Sequence, residues 1–289
     1  MQIESINQYY AREDKITSLG AFSKNIPKPM DIIQACDLVN NLILIDIFVS
    51  MKRIKVPESF RHDVNVRTIE EKLDILSKRS HSDFNMPRNH NEKMLGNCRD
   101  TSLLLCAILR SNGIPARVRS GFATFFTPKK KFDHWLCEYW DQDKSVWIKV
   151  DSWMYQIKHH KALLPFFFRI GLKKLSYTPL DVAEKHFIPG GQAWINCELK
   201  GDDSNKYGTE DKKRRGMWFV RDNMLRDILC LNKIELLPWE CRGIICGKKG
   251  EMSKEDRENL LYIANLSLDI GSNFDKIKQY FQENEGLHC

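Results

Sequence analysis

Residues 97–116 hold the strongest structural constraint in this chain. The stretch NCRDTSLLLCAILRSNGIPA carries a start signal, an apolar run and a stop signal in that order. Asn97 suits a helix N-cap, because its side chain can accept from backbone amides that the first turn leaves unpaired. Asp100 falls in that turn, where a carboxylate complements the positive end of the helix dipole. Leu103, Leu104, Leu105, Cys106 and Ile108 make the run strongly apolar. Gly113, Ile114 and Pro115 end it, since glycine accepts the left-handed cap conformation and proline does not continue a helix.

The two cysteines of this helix stand in different fields. Cys98 falls on the first turn, where the amides and the dipole stabilise a thiolate and lower a thiol's pKa. Cys106 lies among leucines and reads as a filler. A cysteine at a helix start can equally be a small buried hydrophobe, so position alone makes Cys98 a candidate and no more. A nucleophilic thiol also needs a base, and the base an orienting group.

FDHWLCEYWDQDKSVWIKVDSW, residues 132–153, offers both. Two short strands flank DQDK, taken as the turn from Asp141 to Lys144. Trp135, Cys137 and Tyr139 then oppose Val150, Ile148 and Val146 on one apolar face, while Glu138 and Leu136 oppose Trp147 and Lys149 on the other. A slip of one residue would mix the faces. The same register sets His134 opposite Asp151, with Cβ atoms about 5 Å apart. Asp151 is expected to hold the His134 ring, choose its tautomer and stabilise the imidazolium formed when it takes the Cys98 proton. The bland alternative is an exposed His and Asp that end two surface strands.

The remaining chain bounds these readings. Its 289 residues, 42% hydrophobic, suit one large domain or a core with helical additions. Residues 31–51 read as a buried helix, and Val66, Ile69, Leu73 and Leu76 mark one face of a second. Residues 80–97 are polar, contain Pro87 and read as a loop. Strands are expected over 116–126, 132–140 and 145–151. A polar connector covers 199–216, followed by helices over 217–231 and 253–267, the latter opened by Ser253 and Asp256 as a cap pair.

No N-terminal stretch looks like a signal peptide, and the apolar runs 42–49 and 162–172 are too short or too interrupted to span a bilayer. Nine cysteines, scattered singly, show neither zinc-site spacing nor the density of a disulfide scaffold, which favours a reducing, cytoplasmic compartment. The net charge of +7 gathers at Lys129–Lys131 and at Lys212, Lys213, Arg214 and Arg215. No base-reading motif accompanies these clusters, so solvated loop charge is preferred to nucleic-acid binding.

GNCRDTSLLLCAILRSNGIPARVRSGF, followed by DHWLCEYW and WIKVDS, resembles the core of the transglutaminase-like superfamily. The resemblance covers about residues 90–155. It implies an α+β, papain-like core, with the cysteine helix packed on an antiparallel sheet, flanked by helical regions at 1–80 and 201–289 around a core at 81–200. It implies Cys98 as nucleophile, His134 as general base and acid, and Asp151 as orienter. Trp135 after the histidine and Ser152 after the aspartate depart from the more usual alanine and proline, but neither removes a chemical group. The family's oxyanion donor lies upstream of the cysteine, where Asn89, His90 and Asn91 are candidates by position. Trp147, on the His134 face, is a candidate wall of the substrate groove.

The implied reaction is thiolate attack on a peptide, protein or small-molecule amide or ester to give a thioester, resolved by water or an amine. It needs no metal and no cofactor, and GDD at 201–203 lacks the spacing of a calcium loop. The alternative is a non-catalytic scaffold, or a basic module that binds protein or nucleic acid. His159 and His160 read as surface residues, and His186 with the following Gly190–Gly191 as a turn beside the core. Trp153, Trp218 and Trp239 read as core.

Overall fold

The computed structural model describes residues 5–127, 129–166, 169–170, 175–246 and 252–287; part of the apolar run 162–172 lies outside them. They form a mixed α+β protein in two compact units that interleave along the chain: Met1–Arg117 with Leu136–Val182, and Val118–Trp135 with Ala183–Cys289.

The first unit contains α1 (Ile6–Ala11), α2 (Ile32–Leu42), β1 (Ile43–Ile45), α3 (Asp46–Ser50), α4 (Ile69–Arg79), β2 (Met94–Gly96) and α5 (Cys98–Ser111). It also holds the start of β3 (Ala116–Thr127), the end of β4 (Lys130–Asp141), β5 (Val146–Val150) and α6 (Ser152–His159). The apolar helix α5 is its centre. Every residue from Arg99 to Arg110 is buried, and α1, α2, α4 and α6 pack around it. Its buried charged residues are held by partners, as burial without them would be costly, while the buried Ser102 hydroxyl has no hydrogen-bond partner among the described residues. At the far end Arg110 pairs with Asp14 at 2.5 Å and donates to the Ala116 carbonyl at 2.9 Å. Gly113 closes the helix at φ +75°, as the stop signal requires.

Residues 31–51 do not form one helix. α2 ends at Leu42, and the β-branched pair Ile43 and Ile45 enters a parallel strand against Met94–Gly96, within the segment expected to be a loop. The approach is close because Gly96 lacks a side chain: a Cβ there would lie 2.8 Å from Ile43 Cγ2 and 3.0 Å from Asp100 Cβ.

The β4–β5 hairpin exists, but its register differs from the one expected. Cys137 pairs with Val150, Glu138 with Lys149, Tyr139 with Ile148, Trp140 with Trp147 and Asp141 with Val146. Each residue of β4 therefore faces a partner two positions further along β5 than predicted. The turn explains the shift. Asp141 Oδ1 accepts from the amides of Asp143 at 3.1 Å and Lys144 at 3.0 Å, which fixes Asp141 as the last strand residue. Ser145 takes a left-handed φ of 54° and joins the loop. Because side chains alternate with a period of two, a two-residue shift leaves both faces unchanged, and the hydrophobic pattern cannot detect it. Asp151 consequently does not stand in the pairing predicted for it opposite His134.

In the second unit, β3 pairs antiparallel with β6 (Phe187–Pro189), and β4 pairs in parallel with β7 (Tyr207–Gly208), which lies inside the expected polar connector. Its helices are α7 (Gly190–Leu199), α8 (Met217–Leu231), α9 (Lys254–Leu266) and α10 (Ile270–Glu283). Gly190 and Gly191 open α7 rather than forming a turn. A Cβ on Gly190 would lie 2.6 Å from Met224 Cα, and one on Gly191 2.9 Å from the Ala264 carbonyl, so the glycines let α7 seat directly on α8 and α9. Arg119 grips Asp227 of α8 with two bonds of 2.8 Å, both side chains buried. Cys241 and Cys246 form a disulfide, so the cysteines are not all thiols. Trp239 is 39% exposed and not core.

Candidate active site

Cys98 is the first residue of α5 and is partly exposed. The helix start is built by a reciprocal cap. Asn97 Oδ1 accepts from the amides of Arg99 at 2.9 Å and Asp100 at 3.3 Å, while the Asn97 amide donates to Asp100 Oδ2 at 3.0 Å. Thr101 Oγ1 donates to the Cys98 carbonyl at 3.1 Å, which ties the cysteine's own peptide into the first turn.

Beneath the cap lies a buried charge cluster that sequence reasoning missed. Lys72 Nζ is 3.0 Å from Asp100 Oδ1, and Arg99 Nη1 is 3.3 Å from the same oxygen. Burial lowers the Lys72 pKa, opposed by the charge of Asp100. Lys72 stands in the α4 sequence EEKLD and carries no local sign that it turns inward. Asp46, at the start of α3, feels Asp100 as a like charge, and burial with that repulsion lifts its carboxyl to about 6.

Asp151 follows β5 and is completely buried. Its Oδ1 caps α6 by accepting from the Met154 amide at 2.9 Å, and its Oδ2 accepts from the Tyr177 hydroxyl at 2.6 Å. Its amide donates to the Pro179 carbonyl at 2.7 Å. A carboxylate held on both oxygens has a fixed plane, a property an orienting group needs. Tyr177 is itself buried, and burial together with the Asp151 charge raises its hydroxyl far above the ordinary phenol value, so it remains a donor. Nothing in the sequence around Tyr177 signals this role. α6, which Asp151 caps, packs on α5, which Cys98 begins.

His134 belongs to the second unit, on β4, and is 3% exposed. Phe125 and Phe126 present their rings to it at 6.0 Å and 6.5 Å between centroids, both nearly perpendicular. The preceding Asp133 accepts from Asn223 Nδ2 at 2.8 Å, and burial lifts its carboxyl to about 6 against the pull of Arg226 and His134.

The residues with weaker claims fall elsewhere. The Asn89 amide is committed to Glu92 Oε2 at 2.6 Å, and Asn89 and Asn91 line a pocket of the first unit that Cys98 does not line. Trp147 stacks under the Arg117 guanidinium at 3.9 Å and meets Tyr10 and Trp140 edge to face. Arg117 also pairs with Glu138 at 2.7 Å, so Trp147 is held in a packed cation–π cluster. His160 is not a plain surface residue: its Nε2 lies 2.9 Å from Asn40 Oδ1.

Among the described residues, no group of three or more His, Cys, Asp or Glu side chains could hold a metal, and no helix is long and apolar enough to cross a membrane.

Helices around a buried cysteine-bearing helix, with antiparallel strand pairs, define the chain as an α+β protein. Residues 66–152 match the family model of the transglutaminase-like superfamily, which supports a likeness of this segment to that superfamily. No curated protein and no solved structure matches the chain. The matched segment begins two residues before Thr68, the N-cap of α4, and ends one residue after Asp151, so it encloses Cys98, His134 and Asp151 in that order.

Proposed function

We propose that the protein carries out cysteine-dependent acyl transfer on an amide or ester, with Cys98 as nucleophile, His134 as general base and acid, and Asp151 as the group that orients His134. The observation that carries this reading is the enclosure of all three residues in the transglutaminase-like segment, with Cys98 at the capped N-terminus of a buried helix. His134 takes the Cys98 proton. The thiolate attacks the carbonyl carbon, and the oxyanion is met by the Cys98 amide, one of the first-turn donors. Collapse expels the amine or alcohol, which receives the proton from His134, and leaves a thioester on Cys98. Water or a second amine, deprotonated by His134, then attacks the thioester and releases an acid or a new amide.

The fixed carboxylate of Asp151 supports its assignment, because its plane is set by Tyr177 and Met154 before any substrate arrives. Incubation with a panel of amide and ester donors, followed by intact mass measurement, tests the proposal. An acyl adduct on Cys98, discharged by added amine or by water, is expected. A panel that leaves no adduct on Cys98 while another residue is acylated would refute it.

A further inference from the structure

The first unit carries a concave feature that Cys98 does not line. A pocket of about 510 Å3 is walled by Arg53, Lys55, Arg88 and His90, with Ile54 and Leu163 as its apolar part. That size suits a small metabolite. Among the described residues, no carboxylate lines it. Glu92, next to Asn91 in the chain, accepts from the Asn89 amide at 2.6 Å and the Ser80 hydroxyl at 2.9 Å and acts on Arg88 as an opposite charge.

The two exposed cations have no acidic counterpart among the described residues. The exposed side chains of Arg53 and Lys55 enter no ion pair among the described residues. Arg88, only 6% exposed, donates to the carbonyls of Leu76 and Glu92 at 3.2 Å and to that of His81, and its Nε is buried without a partner. Its hydrogen bonds thus go to neutral carbonyl oxygens, while Glu92 and Asp83 act on it as opposite charges without an ion pair among the described residues. Lys93, buried, gives its ammonium to the Asn40 carbonyl at 2.7 Å, and His160 meets the Asn40 side chain.

Their protonation reflects the same imbalance. Burial and the Lys93 charge hold His90 below the ordinary imidazole value, and burial draws Lys93 down to about 8. Burial, with Lys93, His159 and His90 as like charges, brings His160 to about 4. No acid is among the groups acting on any of the three. Of the three only His90 lines the pocket, and an anion bound there would favour its charged form.

We propose that this pocket binds a small ligand through a phosphate group. Arg53 and Lys55 supply the direct contacts and Arg88 the buried charge behind them, while Ile54 and Leu163 pack on the ligand's carbon skeleton. Three permanent cations around one cavity match a doubly charged phosphate better than a single carboxylate, and the guanidinium fork fits paired phosphate oxygens.

The test is calorimetric titration of the full chain with inorganic phosphate and with glycerol 3-phosphate at constant ionic strength, with sodium chloride as control. Imidazole NMR of His90 is followed in parallel. Saturable binding is expected, with the His90 pKa moving up in the complex. The Arg53→Gln/Lys55→Gln variant should bind about tenfold or more weakly while keeping its circular dichroism. Equal affinity in that variant, a response that chloride reproduces, or no saturable binding of either phosphate would overturn the proposal. So would binding confined to phosphatidic acid vesicles, which would make a membrane surface the ligand.

Discussion

Substituting Asp100 by Asn tests how the start of the cysteine helix is held. The amide keeps the size of the carboxylate and can still accept from the Asn97 amide, so the cap geometry survives. The charge does not. Lys72, 4% exposed at 3.0 Å, and Arg99, fully buried at 3.3 Å, lose their shared counter-ion. Stranding one partner of a buried ion pair costs about 3–5 kcal/mol. A ceiling on the lysine's share follows from its escape route. Discharging a lysine of ordinary pKa costs about 5 kcal/mol at neutral pH, since each pKa unit is worth about 1.4 kcal/mol.

That escape route fixes the pH dependence. Burial already lowers the folded-state pKa of Lys72, and losing Asp100 lowers it further. The unfolded chain then binds more protons than the folded one, so stability rises with pH. The deficit of the variant should shrink between about pH 7 and pH 9, by up to about 1.4 kcal/mol per unit. Urea unfolding at the two pH values measures it. Replacing Lys72 by Met in the same variant should restore part of the loss, because the stranded cation is gone. A deficit under about 1 kcal/mol, or one that grows with pH, would refute the reasoning.

Tyr177→Phe removes one of two hydrogen bonds to a buried carboxylate and should cost about 1.5–3 kcal/mol in unfolding experiments; on the proposed function it should also lower turnover by loosening Asp151. Gly190→Ala sets a methyl 2.6 Å from Met224 Cα and should destabilise by about 1–3 kcal/mol, seen as a lower thermal midpoint. Asp46 has a carboxyl raised from 3.8 to about 6, so the folded state binds the extra proton and stability falls as pH rises across that window. Asp46→Asn should therefore flatten the pH profile between those values and gain about 1–3 kcal/mol at neutral pH, and an unchanged slope would contradict the assignment.

The parts of this fold that were legible in the sequence are those where local chemistry decides the outcome. Asn97, Asp100 and Gly113 bracket α5 because capping and left-handed closure are properties of a few adjacent residues. Both faces of the β4–β5 hairpin were legible, since alternation is local. Its register was not, because a shift of two residues keeps every face and only the Asp141 side chain and the Ser145 φ choose between the two. β1 was hidden because Ile43–Ile45 continue the apolar run of α2, and only pairing with distant Met94–Gly96 makes them a strand. The role of Gly190 and Gly191 depends on α8 and α9, far along the chain. At the site, Cys98, His134 and Asp151 carry recognisable motifs. Tyr177 and Lys72 do not, since each acts through a partner that only the folded chain brings near.

The central claim is that Cys98 is an activated nucleophile served by His134, and thiol reactivity tests it most directly. Burial raises the thiols of Cys36 and Cys137 and pushes Cys197 up to about 12, so these should stay protonated and inert in mild acid. Brief iodoacetamide treatment at about pH 6, followed by peptide mapping, should find Cys98 modified first, at a rate that falls in His134→Ala. Labelling of Cys98 no faster than an ordinary exposed thiol, and unchanged by the loss of His134, would contradict the account.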